Sequence, residues 1–264
     1  MRAVATRVMR HRLFLLRQLV HHDVRGRYAG SMGGFLWSFA HPLWQLALFW
    51  FAFGAVMRIP LGPDAPTESF AVFLFSGLLP WMAVQEGIQR GATAITDNAE
   101  LVKKVRFPPL LLVVSVVVAA LVHEGIAALV FAVVLVALGE LSWSTLPWLL
   151  VALPLQVALV AGLASGLAVL QVFVRDMAQL LGMLLMAWFY LTPIVYPLSI
   201  VPERLQRILA LNPLTALIEL YRAALLGGKV PTLGLAILAA TAGLALASGV
   251  AFFRRTREQF ADLV

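Results

Sequence analysis

The chain has 264 residues, 61% of them hydrophobic and only 12% charged, with mean hydropathy +0.91 and net charge +7. A soluble domain of this length has too little core to hide that much apolar surface, so lipid must be the solvent for most of it. The absence of cysteine excludes disulfides, thiol catalysis and Cys-ligated metals. Anionic membrane lipid accounts for the positive charge without a nucleic acid partner.

In chain order, the stretch from Arg2 to Tyr28 comes first and does not span. Leu13, Leu16, Val20 and Val24 recur at helical spacing, with Arg10, Arg17, His21 and Arg25 on the other side. That pattern predicts an amphipathic helix in the cytoplasmic interface. His21, His22 and Asp23 are metal-ligand types, but no further ligand lies nearby in sequence and the helix pattern already explains them. Gly30, Gly33 and Gly34 supply a corner into the first span. These residues are too rich in Arg, and lack a small-residue cleavage site, so no cleavable signal peptide is expected.

Six apolar stretches are long enough to cross about 30 Å of hydrocarbon as helices. They are Phe35–Met57, Phe70–Gln89, Leu110–Leu138, Leu146–Val174, Leu180–Tyr196 and Thr232–Phe253. A closed barrel would show short alternating segments instead of these continuous Leu/Val/Ala runs. With the N-terminus inside, 15 of the 20 Lys and Arg residues fall on the inner side. Arg58, Arg204, Arg207, Arg222 and Lys229 remain outside, so six spans with both termini cytoplasmic satisfy the positive-inside rule.

Two connections stand out. The inner segment Gly91–Pro109 starts as a polar helix with Asp97 and Glu100, turns basic at Lys103, Lys104 and Arg106, and stops at Pro108–Pro109. It is either a solvated loop or a surface for another protein. The outer segment Leu191–Pro231 has apolar clusters cut by Pro193, Pro197, Pro202 and Pro213, none long enough to cross. It reads as two short re-entrant helices dipping into the outer leaflet, a conformation that survives only where protein or a water-filled cavity covers it.

Ionisable groups inside spans are costly, so each needs a reason. Glu86 and Arg90 are four apart in the favoured orientation and read as a structural pair. Glu124, beside His123, lies deep in the third span and should face the bundle interior, paired across helices or protonated. Trp81, Trp143, Trp148 and Tyr196 fall where interface-belt aromatics sit. Trp37, Trp44 and Trp50 in the first span, and Trp188 and Tyr190 in the fifth, read as packing residues or as platforms for sugar rings. No catalytic motif is present, and Gly227–Gly228–Lys229–Val230 lacks the spacing and following Ser/Thr of a phosphate-binding loop. No catalytic or metal-binding residue is assigned, and energy for any transport has to come from elsewhere.

Three blocks then carry a family resemblance. They are Arg25–Gly–Arg–Tyr–Ala–Gly–Ser–Met–Gly–Gly–Phe–Leu–Trp–Ser38 with Pro42, Leu101–Val–Lys–Lys–Val–Arg–Phe–Pro108, and Tyr190–Leu–Thr–Pro–Ile–Val–Tyr–Pro197 with Leu211–Asn–Pro–Leu–Thr215 and Glu219–Leu–Tyr–Arg222. In this order they resemble the permease subunits of bacterial polysaccharide-export ABC transporters, which carry lipid-linked O-antigen, capsule or teichoic acid chains. The resemblance covers essentially the whole chain and implies one all-α transmembrane domain over residues 1–264. It further implies a homodimer in the bacterial inner membrane, bound to two ATPase subunits that hold the ATP and magnesium.

By the same resemblance, residues 1–30 form the interfacial helix and residues 91–109 the coupling segment. Arg25, Arg27, Tyr28, Asp97, Glu100, Lys103, Lys104, Arg106 and Phe107 would face the ATPase. Residues 191–231, with Pro193, Pro197, Asn212, Pro213, Tyr221 and Arg222, would gate the outer mouth. Trp37, Trp44, Trp50, Trp188, Tyr190 and Tyr196 would line a channel for the sugar chain. An exporter of small molecules or lipids, and a membrane-embedded lipid-modifying enzyme, are the competing readings.

Overall fold

The computed structural model describes residues 2–27, 30–62, 65–104, 108–257 and 260, and side chains among them from residue 10 onward except that of Lys104. Helix α1 (Arg2–Gly26) leads, and Gly30 (φ +81°) and Gly34 (φ +48°) make the corner after it, in conformations that L side chains rarely adopt. Helix α2 (Trp37–Phe49) continues through a widened π turn over Trp50–Val56. Helix α3 (Phe70–Thr93) starts where the Ser69 hydroxyl accepts the Val72 amide at 3.4 Å. A short α4 (Ala99–Lys104) precedes α5 (Leu110–Leu138), which stops at Gly139 in the left-handed conformation (φ +73°).

Helix α6 (Leu149–Phe173) follows a 3-10 turn, and α7 (Met177–Tyr190) follows a tight charged turn at Arg175–Asp176. Helices α8 (Glu203–Leu209) and α9 (Pro213–Leu226) meet at a 93° bend, and α10 (Thr232–Thr256) closes the bundle. Pro213 at the first turn of α9, with the Asn212 side chain accepting the Leu214 amide at 3.1 Å, fixes where that helix starts.

Burial runs opposite to that of a soluble bundle. The most apolar helix, α5 (mean hydropathy 2.4), has 22% of its core window buried, whereas α3 (1.4) has 78%. Apolar side chains on the outside are stable only if the surroundings are hydrocarbon, so the inside-out arrangement identifies lipid as the solvent. Helix α3 is the hub: Phe70 to Trp81 are buried without a break, against α5, α6 and α9. Helices α6 and α10 touch backbone to backbone, because a Cβ built on Gly249 would lie 2.0 Å from the Gly162 carbonyl oxygen.

Among the described residues five helices are long and apolar enough to cross a membrane, or six if the bent α8–α9 pair counts as one. The expected fifth span, Leu180–Tyr196, differs: α7 begins at Met177 and ends at Tyr190. Its 14 residues rise about 21 Å, and Leu191–Pro197 forms turns instead. Pro193 is the physical reason, since its ring and missing N–H oppose continuation of the helix.

Candidate functional site

The outer segment is organised by two polar side chains, one buried and one half-buried. Arg222, 2% exposed, sits on α9 and reaches back to the non-helical turn after α7. It donates to the carbonyls of Pro193 (2.8 Å), Ile194 (2.9 Å) and Phe73 (3.4 Å), and to Glu219 (3.0 Å). Its guanidinium carbon lies 3.7 Å from the Phe73 ring centroid. Gly77 makes room for it: a Cβ there would sit 2.8 Å from a guanidinium nitrogen. Arg222 is thus buried among carbonyls and not displayed at the surface. The fork of the guanidinium suits several oxygen acceptors at once.

Asn212 is the second organiser. It donates to Thr192 Oγ1 (2.9 Å) and the Leu191 carbonyl (3.2 Å), while its oxygen accepts the Trp188 indole N–H at 2.9 Å. Pro193, Asn212, Pro213 and Arg222 are therefore brought together, with Trp188 drawn in from α7. Pro197 stands apart, half-buried ahead of the turn Leu198–Ile200, and the Tyr196 hydroxyl donates to the Tyr190 carbonyl at 2.9 Å. Tyr221 points elsewhere: fully buried, it donates to Gln156 on α6.

That bond belongs to a polar chain at the bundle centre. Glu124 is the middle residue of α5 and is 5% exposed. Gln156 donates to Glu124 Oε2 at 2.7 Å and more weakly to the Pro80 carbonyl at 3.4 Å. Glu124 thus pairs across helices, as expected, but with a neutral amide.

At the other end, the Glu86–Arg90 pair forms at 2.9 Å and is part of something larger. Arg90 also forks onto Asp23, and Arg27 donates to Glu86. The four residues clasp the end of α1 to α3, with side chains 21–40% exposed. Arg27 turns toward α3. Arg25 is exposed, as are Asp97, Glu100 and Lys103, while Ile95 is buried and Leu101 and Val102 pack on the core. This gives the inner segment an apolar underside and a polar outer face. Tyr28, Arg106 and Phe107, and the side chain of Lys104, lie outside the described residues.

Trp37 (44%), Trp44 (67%), Trp50 (61%) and Tyr190 (57%) are exposed. Trp44 and Trp50 line cavities whose walls include no residue of α7. Trp188 is half-buried and engaged with Asn212. Trp81 corrects the sequence reading: it is 4% exposed, bonded to Gln85 at 2.9 Å and 5.5 Å from the Phe189 ring, so it is core and not interface belt. Trp143 (69%) and Trp148 (37%) remain exposed. Sequence reasoning missed Gln156 and Gly77; neither carries a local signal, because their neighbours are tens of residues away.

A family profile described as ABC-2 type transporter matches residues 15–226. The chain is 35% identical over 257 residues to the O-antigen export system permease protein RfbA of Myxococcus xanthus, covering 95% of both chains. It is 29% identical over 254 residues to the protein of that name from Klebsiella pneumoniae, again covering 95% of each. With the polysialic acid transport protein KpsM of Escherichia coli it shares 26% identity over 239 residues, covering 90% of this chain and 91% of the relative. Apolar helices with lipid-facing exteriors, a polar inner segment and a bent outer helix pair agree with that match, and the chain belongs to the membrane-spanning family of ABC-2 type transporters.

Proposed function

We propose that this chain is the transmembrane subunit of an ATP-driven exporter of lipid-linked polysaccharide, with O-antigen as its cargo. The observation that carries this reading is 35% identity across 95% of both chains to an O-antigen permease. The relatives named for O-antigen and polysialic acid favour a polymer over small molecules or lipids as cargo. The chain has no phosphate-binding loop, so ATP and magnesium belong to a separate subunit.

In this reading two copies of the chain and two ATPase subunits form the transporter in the bacterial inner membrane, with both termini cytoplasmic as the charge bias requires. The exposed face of Asp97, Glu100 and Lys103, resting on Leu101 and Val102, receives the stroke of the ATPase. The α8–α9 pair, tied to the α7 turn by Asn212 and Arg222, gates the outer mouth. Exposed Trp37, Trp44, Trp50 and Tyr190 grip successive sugars by ring stacking without fixing them, so the polymer slides.

The test is deletion of the chain in its host, with staining of surface and inner-membrane polysaccharide. Export stalls and lipid-linked O-antigen accumulates inside. Purification in mild detergent then recovers a stoichiometric ATPase, lost when residues 100–106 are scrambled. A chain that purifies alone, in a host whose surface polysaccharide is unchanged, overturns the reading.

A further inference from the structure

A cavity of about 390 Å³ lies between α2, α3 and α5, a volume in the range of sites that hold small ligands. Its polar end is formed by Ser38 and His41 of α2, Glu86 of α3 and Arg27 beyond α1; its apolar end by Leu48, Phe75 and Leu79. Glu86 to Phe75 are eleven residues apart on α3, a rise of about 16 Å. Met82, 48% exposed, also lines it, so it opens on an apolar outward face of the bundle, with Trp44 at the same mouth.

Two buried oxygens in its wall have no hydrogen-bond partner among the described residues. Glu124, 5% exposed, has Oε2 held by Gln156 while Oε1 is unmet; Ser38, also 5% exposed, has an unmet hydroxyl. A buried polar atom left unmet is costly, and two of them lining one cavity, on different helices, point to an occupant that satisfies both.

We propose that this cavity binds a neutral, hydroxyl-bearing single-chain amphiphile drawn from the bilayer. A hydroxyl both donates and accepts, so it can satisfy Ser38 and the free oxygen of Glu124 together. An anionic head would meet the carboxyl groups of Glu86 and Glu124, and the one cation at that end, Arg27, is already bound to Glu86. The chain of the amphiphile lies along Leu79, Phe75 and Leu48. The site shares Trp44 at its mouth with the proposed polymer path, and its occupancy is read by labelling, without cargo export.

The probe is a decanol carrying a mid-chain diazirine, photolysed in membranes holding the native complex, with labelled peptides mapped by mass spectrometry. Label is expected on cavity-lining positions of α2, α3 and α5. Excess monodecanoylglycerol should lower it about tenfold more than the same excess of decanoate does, one hydrogen-bonded head group's difference in binding. Ser38→Ala should weaken labelling about fivefold, the loss of one hydrogen bond. Ala127→Phe, which fills the apolar end, should abolish it while the Ser38→Ala chain serves as the variant least able to disturb folding. Label spread evenly over outward helix faces, equal competition by decanoate, or undiminished labelling of both variants each overturns the proposal.

Discussion

Replacing Arg222 with methionine keeps an unbranched stem and removes the guanidinium that ties α9 to the turn after α7. The carbonyls of Pro193 and Ile194 are buried, and Arg222 is their donor at 2.8 and 2.9 Å. Each buried carbonyl left without a donor costs about 1–3 kcal/mol. The ring contact with Phe73 adds about 0.5–2 kcal/mol. Glu219 is 32% exposed and can turn to water, so its loss adds little. Removing a buried cation also removes its own desolvation penalty, which brings the net loss to about 2–4 kcal/mol. For a chain of this size that is roughly 4–16 °C in thermal midpoint. Arg222→Lys should fall between, because an ammonium cannot fork onto two carbonyls. Thermal unfolding of the purified complex gives the magnitude, and amide exchange of Leu191–Pro197 gives the location, since loosening there should exceed that elsewhere. If the methionine variant melts with the wild type and this turn exchanges at its original rate, the latch is not what holds the outer segment.

Three further outcomes follow from the packing. Gly249→Val places a branched carbon where even a Cβ would lie 2.0 Å from the Gly162 carbonyl, so α6 and α10 must separate; size-exclusion profiles should lose the monodisperse peak, and an unchanged peak contradicts the contact. Gln156→Leu takes away the donor to Glu124 Oε2 and should cost about 1–3 kcal/mol, while Glu124→Leu added to it should recover part of that loss; melting curves in which the two losses simply add refute the coupling. A double-mutant cycle of Asp23→Asn and Arg90→Ala should give a coupling of only about 0.5–1 kcal/mol, because the groups are partly exposed. Salt should shrink it, and limited proteolysis should show α1 released sooner; a coupling indifferent to salt argues against an ionic clasp.

Hydropathy and periodicity read much of this molecule directly. On α1 Leu16, Val20 and Val24 are half-buried and Arg10, Arg17 and Arg25 exposed, as their spacing requires, while Leu13 of the same stripe is exposed. Gly30 and Gly34 make the corner with positive φ, and α5 runs over the same residues, Leu110–Leu138, that the apolar run defines. The proline-cut outer segment forms two helices with a 93° bend. Each of these follows from local chemistry, in which a side chain's preference for water or hydrocarbon and a backbone's allowed angles act within a few residues.

The candidate site was less legible for the complementary reason. Trp81 and Trp143 are the same residue type near the same predicted boundary, yet one is core and the other exposed. Arg222 has the composition of an outer-surface charge, and only the proximity of Phe73 and Pro193, separated from it by 149 and 29 residues, turns it inward. Glu86 found Arg90 through helical spacing, whereas Asp23 and Arg27 joined them across 67 and 59 residues.

The sequence by itself determined the solvent, the extent of the long apolar helices, the polar segment between α3 and α5, and the family. Those depend on composition and near-neighbour spacing. Tertiary structure alone decided that α3 is the hub, that Arg222 latches the turn after α7, and that Ser38 and Glu124 face one cavity. In a chain whose helices are apolar on every side, hydrophobicity says little about which face turns inward. The few polar groups and glycines make that choice, and their partners are set by how the whole bundle packs.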